Sequence, residues 1–177
     1  MVLFVGCLIE GAGFAANYPL KIHPANPHLL ADQSNTPYLL HGDAAWGLMV
    51  MLDKTEVEQY LENRRAKGFN TLLVMLISKH VWINNGATVN RYGQEPFTIA
   101  NDLTQPNPAY FDHVDWVIDR AAQKGMQLVL APCYIGYFTS GLEGWNDVVM
   151  ANGTNNCRTF GRYVGQRYKD KPNLIWL

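Results

Sequence analysis

Six residues of this chain bring hydrogen-bonding and ring-stacking groups to the ends of apolar runs. Asp43 and Trp46 stand three apart in Gly42-Asp43-Ala44-Ala45-Trp46-Gly47. His80 and Trp82 lie in Ser78-Lys79-His80-Val81-Trp82, and Tyr134 and Tyr137 in Cys133-Tyr134-Ile135-Gly136-Tyr137. Each group follows an apolar run. A carboxylate accepts hydrogen bonds from hydroxyls, and an aromatic ring offers a stacking face. An imidazole can donate to a substrate oxygen or orient a carboxylate. The same residues have plainer uses: Asp43 as a helix cap or ion-pair partner, Trp46 as core, His80 as a solvated loop residue.

Glu95, Asp102, Glu143 and Asp147 are further carboxylates that could serve as catalytic acids. None lies at the end of an apolar run, and carboxylates in polar loops are mostly solvated. Cys7, Cys133 and Cys157 form no metal-ligand spacing. No metal and no cofactor is expected. Cys133 and Cys157 could pair or remain two buried thiols.

The elements that must position these groups alternate. Leu20-Lys21-Ile22 is a short strand. His28–Ala31 and Pro37–Leu40 flank the turn-rich Asp32–Thr36, which predicts a hairpin leading into a buried strand. Thr55 and Glu58 match a capping box opening a helix that Lys67-Gly68 ends. Thr71–Ile77 is almost wholly apolar, as in a strand buried on both faces. Pro108 opens a second helix, with Phe111, Val114, Val117, Ile118 and Ala121 on one face and Gly125 at its end. Met126–Ala131 is another buried strand. Thr154 or Asn155 can cap a third helix carrying Phe160, Val164 and Tyr168, and Asn173–Leu177 is the last strand. Asn70, ahead of its strand, reads as a floor residue. Arg64, Arg65, Lys67 and Arg162, Arg167, Lys169, Lys171 read as solvated helix faces.

Each helix joins its next strand by a short connection, whereas each strand is followed by a longer excursion. In a β/α barrel, the loops after the strands build the active site. An open doubly wound sheet gives the same alternation. No G-x-G-x-x-G pattern supports nucleotide binding. Eight units need about 250 residues. This chain of 177 supplies four strands and three helices. The reading is therefore a (β/α)8 TIM-barrel type, of which residues 17–177 cover about the first half after an N-terminal β-hairpin, ending at the fourth strand.

Fourteen Lys and Arg against fifteen Asp and Glu, scattered, give a formal net charge of -1. No basic stripe supports nucleic-acid binding. No stretch reaches the length of a membrane span. Residues 1–16 resemble the end of a secretory signal peptide, apolar from Met1 to Ile9 with Ala15-Ala16 before Asn17. No Lys or Arg precedes that run and Glu10 interrupts it, so an apolar N-terminal strand or arm is the alternative.

The run His28–Trp46, HLLADQSNTPYLLHGDAAW, resembles the entry of the apiosidase-like glycoside hydrolases, a hairpin followed by a Gly-Asp-Thr-Ala-Trp type motif. Tyr60-Leu61 to Arg65, Lys67–Asn70, Tyr110-Phe111 with Val114-Asp115 and Ile118, Gly161–Tyr163 with Arg167-Tyr168, and Pro172–Trp176 are similar to that family too. The resemblance runs from Leu20 to Leu177. It implies a β/α-barrel glycosidase acting on plant cell-wall pectin, releasing apiose-linked side chains, and usually exported by bacteria to the periplasm, cell surface or medium. It also implies two catalytic carboxylates after the fourth strand and near a later one, beyond Leu177, so no catalytic residue is expected in this chain. Asp43 and Trp46 carry over as substrate-binding positions. Ala44 stands where Thr is common, and Cys133-Tyr134-Ile135-Gly136 where a Trp-Gly pair is usual. Both departures lie at the mouth, where sugar specificity is set. A non-catalytic sugar-binding barrel and a small open α/β domain are the competing readings.

Overall fold

A computed structural model describes residues 16–136 and 143–177 of the chain. Residues 1–15, nearly all of the segment 1–16 expected as a signal peptide or an apolar arm, and Tyr137 lie outside the described residues.

Three short antiparallel strands come first: β1 (Lys21–His23), β2 (Asn26–Ala31) and β3 (Pro37–Tyr38), in the order β1-β2-β3. Asp32 shapes the turn between β2 and β3 by accepting from the amides of Ser34 and Thr36, both at 2.9 Å. Pro37–Leu40 is thus not the first barrel strand. That strand is β4 (Gly42–Ala44), which pairs in parallel with β5 (Thr71–Met75), Asp43 opposite Leu72. Gly, Asp and Ala are poor strand formers in isolation, so here the pairing partner makes the strand. Asp43 consequently sits in the first parallel strand rather than after it.

The parallel sheet runs β4-β5-β6-β7, with β6 at Gln127–Ala131 and β7 at Leu174–Trp176. Helices α1 (Leu48–Met51) and α2 (Lys54–Ala66) separate β4 from β5. Helix α3 (Pro108–Gln123) separates β5 from β6, and α4 (Asn146–Tyr168) separates β6 from β7. Four parallel strands alternating with helices are half of a β/α barrel. Leu72, Val74, Leu128 and Leu130 face the helices fully buried, each worth about 1.5–3 kcal/mol of burial. They meet Val57 and Leu61 of α2, the α3 face predicted from the sequence, and Phe160 and Val164 of α4.

Helix α2 is capped two residues earlier than Thr55. Asp53 Oδ1 accepts from Glu56 N and Glu56 Oε2 accepts from Asp53 N, both at 2.9 Å. Glu58 is then released to pair with Arg120 of α3 and with Lys124 at its C-terminal cap, and Lys124 also reaches Glu62 at 2.8 Å. The basic residues read as solvated are mostly ion-paired. Arg167 forks onto Asp112 and Asp115 at 2.6 and 2.8 Å, and Lys171 reaches Asp119 at 2.5 Å. Helix α4 begins at Asn146, earlier than Thr154, and breaks at Gly153 (φ 67°, ψ 177°). Only glycine adopts that backbone without strain. The helix expected from Thr154 is the portion after the break. At the floor, Asn70 accepts from His41 N and donates to Leu39 O, the structural role read for it.

Candidate functional site

At the C-terminal ends of β4, β5 and β6 the chain forms a cleft of about 590 Å³. Its wall includes Trp46 from beyond β4, His80, Trp82 and Ile83 from beyond β5, Tyr134 from beyond β6, and Tyr60 from α2. Four of the six residues singled out in the sequence thus share one cavity.

Local bonding explains their placement. Met75 N donates to Trp46 O at 3.2 Å, which ties the end of β4 to β5. The rings of Trp46 and Tyr134 lie 6.0 Å apart at 47°, and those of His80 and Tyr134 5.7 Å apart at 34°. The loop after β5 closes on itself, His80 O accepting from Ile83 N at 2.9 Å and Gly86 N at 3.2 Å. Trp82 N donates to His80 Nδ1 at 3.1 Å. That amide makes Nδ1 the acceptor, so the neutral ring carries its proton on Nε2. His80 is therefore set up as a donor to an oxygen in the cleft. Trp82 itself is 82% exposed, a flat apolar face at the rim.

Tyr134 is held by a close approach of two backbones. Trp145 N donates to Tyr134 O and Asn146 N to Ile135 O, at 3.0 and 3.1 Å. Gly144 makes the approach feasible: a Cβ there would stand 2.5 Å from Gly136 N and 2.6 Å from Tyr134 O.

Asp43 is not in the cleft wall. Its Oδ2 accepts from Tyr60 Oη at 2.8 Å and from Arg64 Nη1 at 2.9 Å, and Oδ1 from Ala44 N at 2.9 Å. The Tyr60 hydroxyl, Ala44 amide and Arg64 guanidinium outweigh partial burial and hold the Asp43 carboxyl below its ordinary range. Burial, and then the hydrogen bond to Asp43 and its charge, push the Tyr60 hydroxyl up to about 12, so it donates throughout the physiological range. Arg64 lies against the faces of Tyr60 and Phe69. Asp43 reaches the cleft through Tyr60, a wall residue that helical periodicity alone assigns to packing. Its spacing of four from Arg64 was the available signal.

The other carboxylates stand away from the cleft. Glu95 accepts from Thr88, Asp102 from Thr104, and Asp147 pairs with Lys79 at 2.6 Å. No carboxylate lines the cleft among the described residues, and no three of His, Cys, Asp or Glu gather as metal ligands there. Cys133 and Cys157 are free thiols on one apolar cavity of about 430 Å³. Burial pushes the Cys133 thiol up to about 12, which leaves it protonated and inert at neutral pH. No helix of the described residues is long and apolar enough to cross a membrane.

A family model described as apiosidase-like, catalytic domain, matches residues 24–177. A solved glycoside hydrolase is 26% identical with a TM-score of 0.69, the match covering 90% of this chain and 33% of that one. A glycoside hydrolase family 5 structure from Bacteroides vulgatus has a TM-score of 0.70 at 23% identity, over 90% of this chain and 32% of that one. An endo-1,4-beta-mannanase from Rhizomucor miehei has a TM-score of 0.60 at 16% identity, over 84% of this chain and 45% of that one. The last two likenesses bear on the fold alone. The chain spans about a third of the length of the first two structures. No curated protein sequence matches it.

Proposed function

The chain belongs to the apiosidase-like catalytic-domain family, and from that premise we propose that it forms the substrate-holding half of a barrel glycosidase acting on pectic glycans of the plant cell wall. One observation carries the reading: Trp46, His80, Trp82 and Tyr134 converge on one cleft at the C-terminal end of a parallel sheet, the end where barrel enzymes hold their substrates. In this account Trp46, Tyr134 and Trp82 supply faces for sugar rings. The Nε2–H of His80 donates to a sugar oxygen. Asp43 fixes Tyr60, and so the wall behind the sugar. Tyr137, in the same loop as Tyr134, is assigned a ring contact from sequence alone.

Hydrolysis needs two carboxylates across the glycosidic bond, one protonated as acid and one acting as nucleophile or base. With none in the cleft wall among the described residues, the proposal assigns both to barrel units after β7. Cell-wall polymers are met outside the cell, so the reading carries export with it. The complete gene product should release sugar from pectic polysaccharide, measured as new reducing ends, while residues 1–177 alone should release none. Turnover by the 177-residue chain, or none on any pectic fraction by the complete product, contradicts the proposal.

The bare cleft also favours a second reading, a sugar-binding barrel without catalysis. A gene with no Asp or Glu after the fourth strand would select it.

A further inference from the structure

Helix α1 leaves one side chain outside the core. Leu48, Met49 and Val50 are buried, whereas Met51 is 47% exposed and lies in the wall of the cleft. Gly47 gives it its seat. The Gly47 carbonyl accepts from Met51 N at 2.8 Å, and a Cβ at Gly47 would stand 2.9 Å from Met51 Sδ and 3.2 Å from Ile83 Cγ2. The thioether is thus folded across the bare Gly47 backbone, beside Ile83. Leu52, which ends the helix, is partly exposed in the same wall, and so is the ring of Trp82. All three are open to an incoming ligand.

This side of the cleft suits a neutral group that carries an alkyl end. No Asp, Glu, Lys or Arg lines the cleft among the described residues. Arg64 is held by Asp43 and Lys79 by Asp147, so both cations are already paired. A carboxylate brought against Met51 and Leu52 would lose water and gain no cation. A methyl group gains by leaving water, and a flexible, polarizable thioether moulds itself to the group it meets. A hydroxymethyl group falls between the two.

We propose that Met51, seated over Gly47, sets the specificity of this cleft: it receives the alkyl end of a neutral sugar unit, a deoxy methyl carbon or a methyl ester, and turns away a free uronate. The inference rests on the carbohydrate reading of the cleft and names the kind of unit that it takes. The test is a titration of the protein, with carbon-13 in its methionine methyls and nitrogen-15 in its indoles. The probes are the methyl glycosides of galactose, 6-deoxygalactose, galacturonate and galacturonate methyl ester, which differ only at carbon 6. The deoxy sugar should move the Met51 methyl signal and bind about fourfold more tightly than the galactoside, the scale of one methyl group taken out of water. The galacturonate should bind about tenfold more weakly than the galactoside, the scale of an unpaired polar group taken out of water. The ester separates the two alkyl sources. Binding like the deoxy sugar supports a shelf that also takes esterified uronates, and binding no better than the galactoside supports one confined to deoxy units. Met51→Gln should bring the ratio of deoxy to galactoside affinity to about one, and Met51→Leu should keep it near fourfold. If the Trp46 or Trp82 indole responds but galacturonate binds as well as the deoxy sugar, or Met51→Gln keeps the ratio, the Met51 assignment is wrong and the carbohydrate reading stands. If no probe moves any of these signals, both fall.

Discussion

The rings of Trp46 and Tyr134 form a tilted pair in the cleft wall, centroids 6.0 Å apart, though they stand 88 positions apart in sequence (134 minus 46). The parallel sheet brings them together, one beyond β4 and the other beyond β6. If they hold a sugar ring, Trp46→Ala and Tyr134→Ala should each weaken oligosaccharide binding about three- to tenfold, the scale of one aromatic contact. Tyr134→Phe should bind nearly as well as the native chain, since the face does the work. Isothermal titration calorimetry reads all three variants. Unchanged affinity in both alanine variants would remove the aromatic rings from the account.

Asp43 is expected to act on stability before affinity. Asp43→Ala leaves the Tyr60 hydroxyl and the Arg64 guanidinium without their acceptor, a loss of about 1–2 kcal/mol. Asp43→Asn keeps an oxygen for Tyr60 and loses only the ion pair, about 1 kcal/mol or less. Urea unfolding measures both. A direct sugar contact would give the opposite pattern, with affinity lost and stability unchanged.

Gly144→Ala should disturb the site from outside it. The added carbon would collide with the backbone of residues 134–136, so the loop carrying Tyr134 must move. A loss of about 1–3 kcal/mol is expected from such overpacking, together with weaker sugar binding. Normal affinity would show that Tyr134's position does not depend on the contact with the start of α4.

Acid should loosen the α2–α3 interface. The Arg120 and Lys124 bonds bring Glu58 from 4.5 down to about 2, and the Arg65 and Lys124 bonds bring Glu62 to about 2 as well. Their contribution is present above the unfolded value and is lost as pH falls from about 4.5 toward 2. Both carboxylates are partly solvated, so screening keeps each effect small. The melting temperature should fall over that range, and Glu58→Gln should flatten part of the fall. An identical pH profile in the variant would refute the assignment.

The parts legible in the sequence were those whose residues carry their own preference. β5 and β6 are apolar on both faces, and Pro108 opens α3 where its missing N–H costs nothing. β4 was hidden because Gly42-Asp43-Ala44 has no strand preference and is held by pairing with Thr71–Leu73. The cap of α2 was displaced because Asp53-Lys54-Thr55-Glu56 and Thr55–Glu58 both fit a capping pattern; the helix uses the first, Asp being the stronger N-cap, and Glu58 bonds Arg120 and Lys124 instead. In the site, the residues after each apolar run were readable as a group. Tyr60 was not, because its role follows from a bond to Asp43 seventeen residues earlier.

The most direct measurement is a crystal structure of the protein soaked with a pectic oligosaccharide. The account expects a sugar ring against Trp46 or Tyr134, with a ring or hydroxyl oxygen within hydrogen-bond reach of His80 Nε2. A well-ordered sugar bound elsewhere, with this cleft empty, would contradict it.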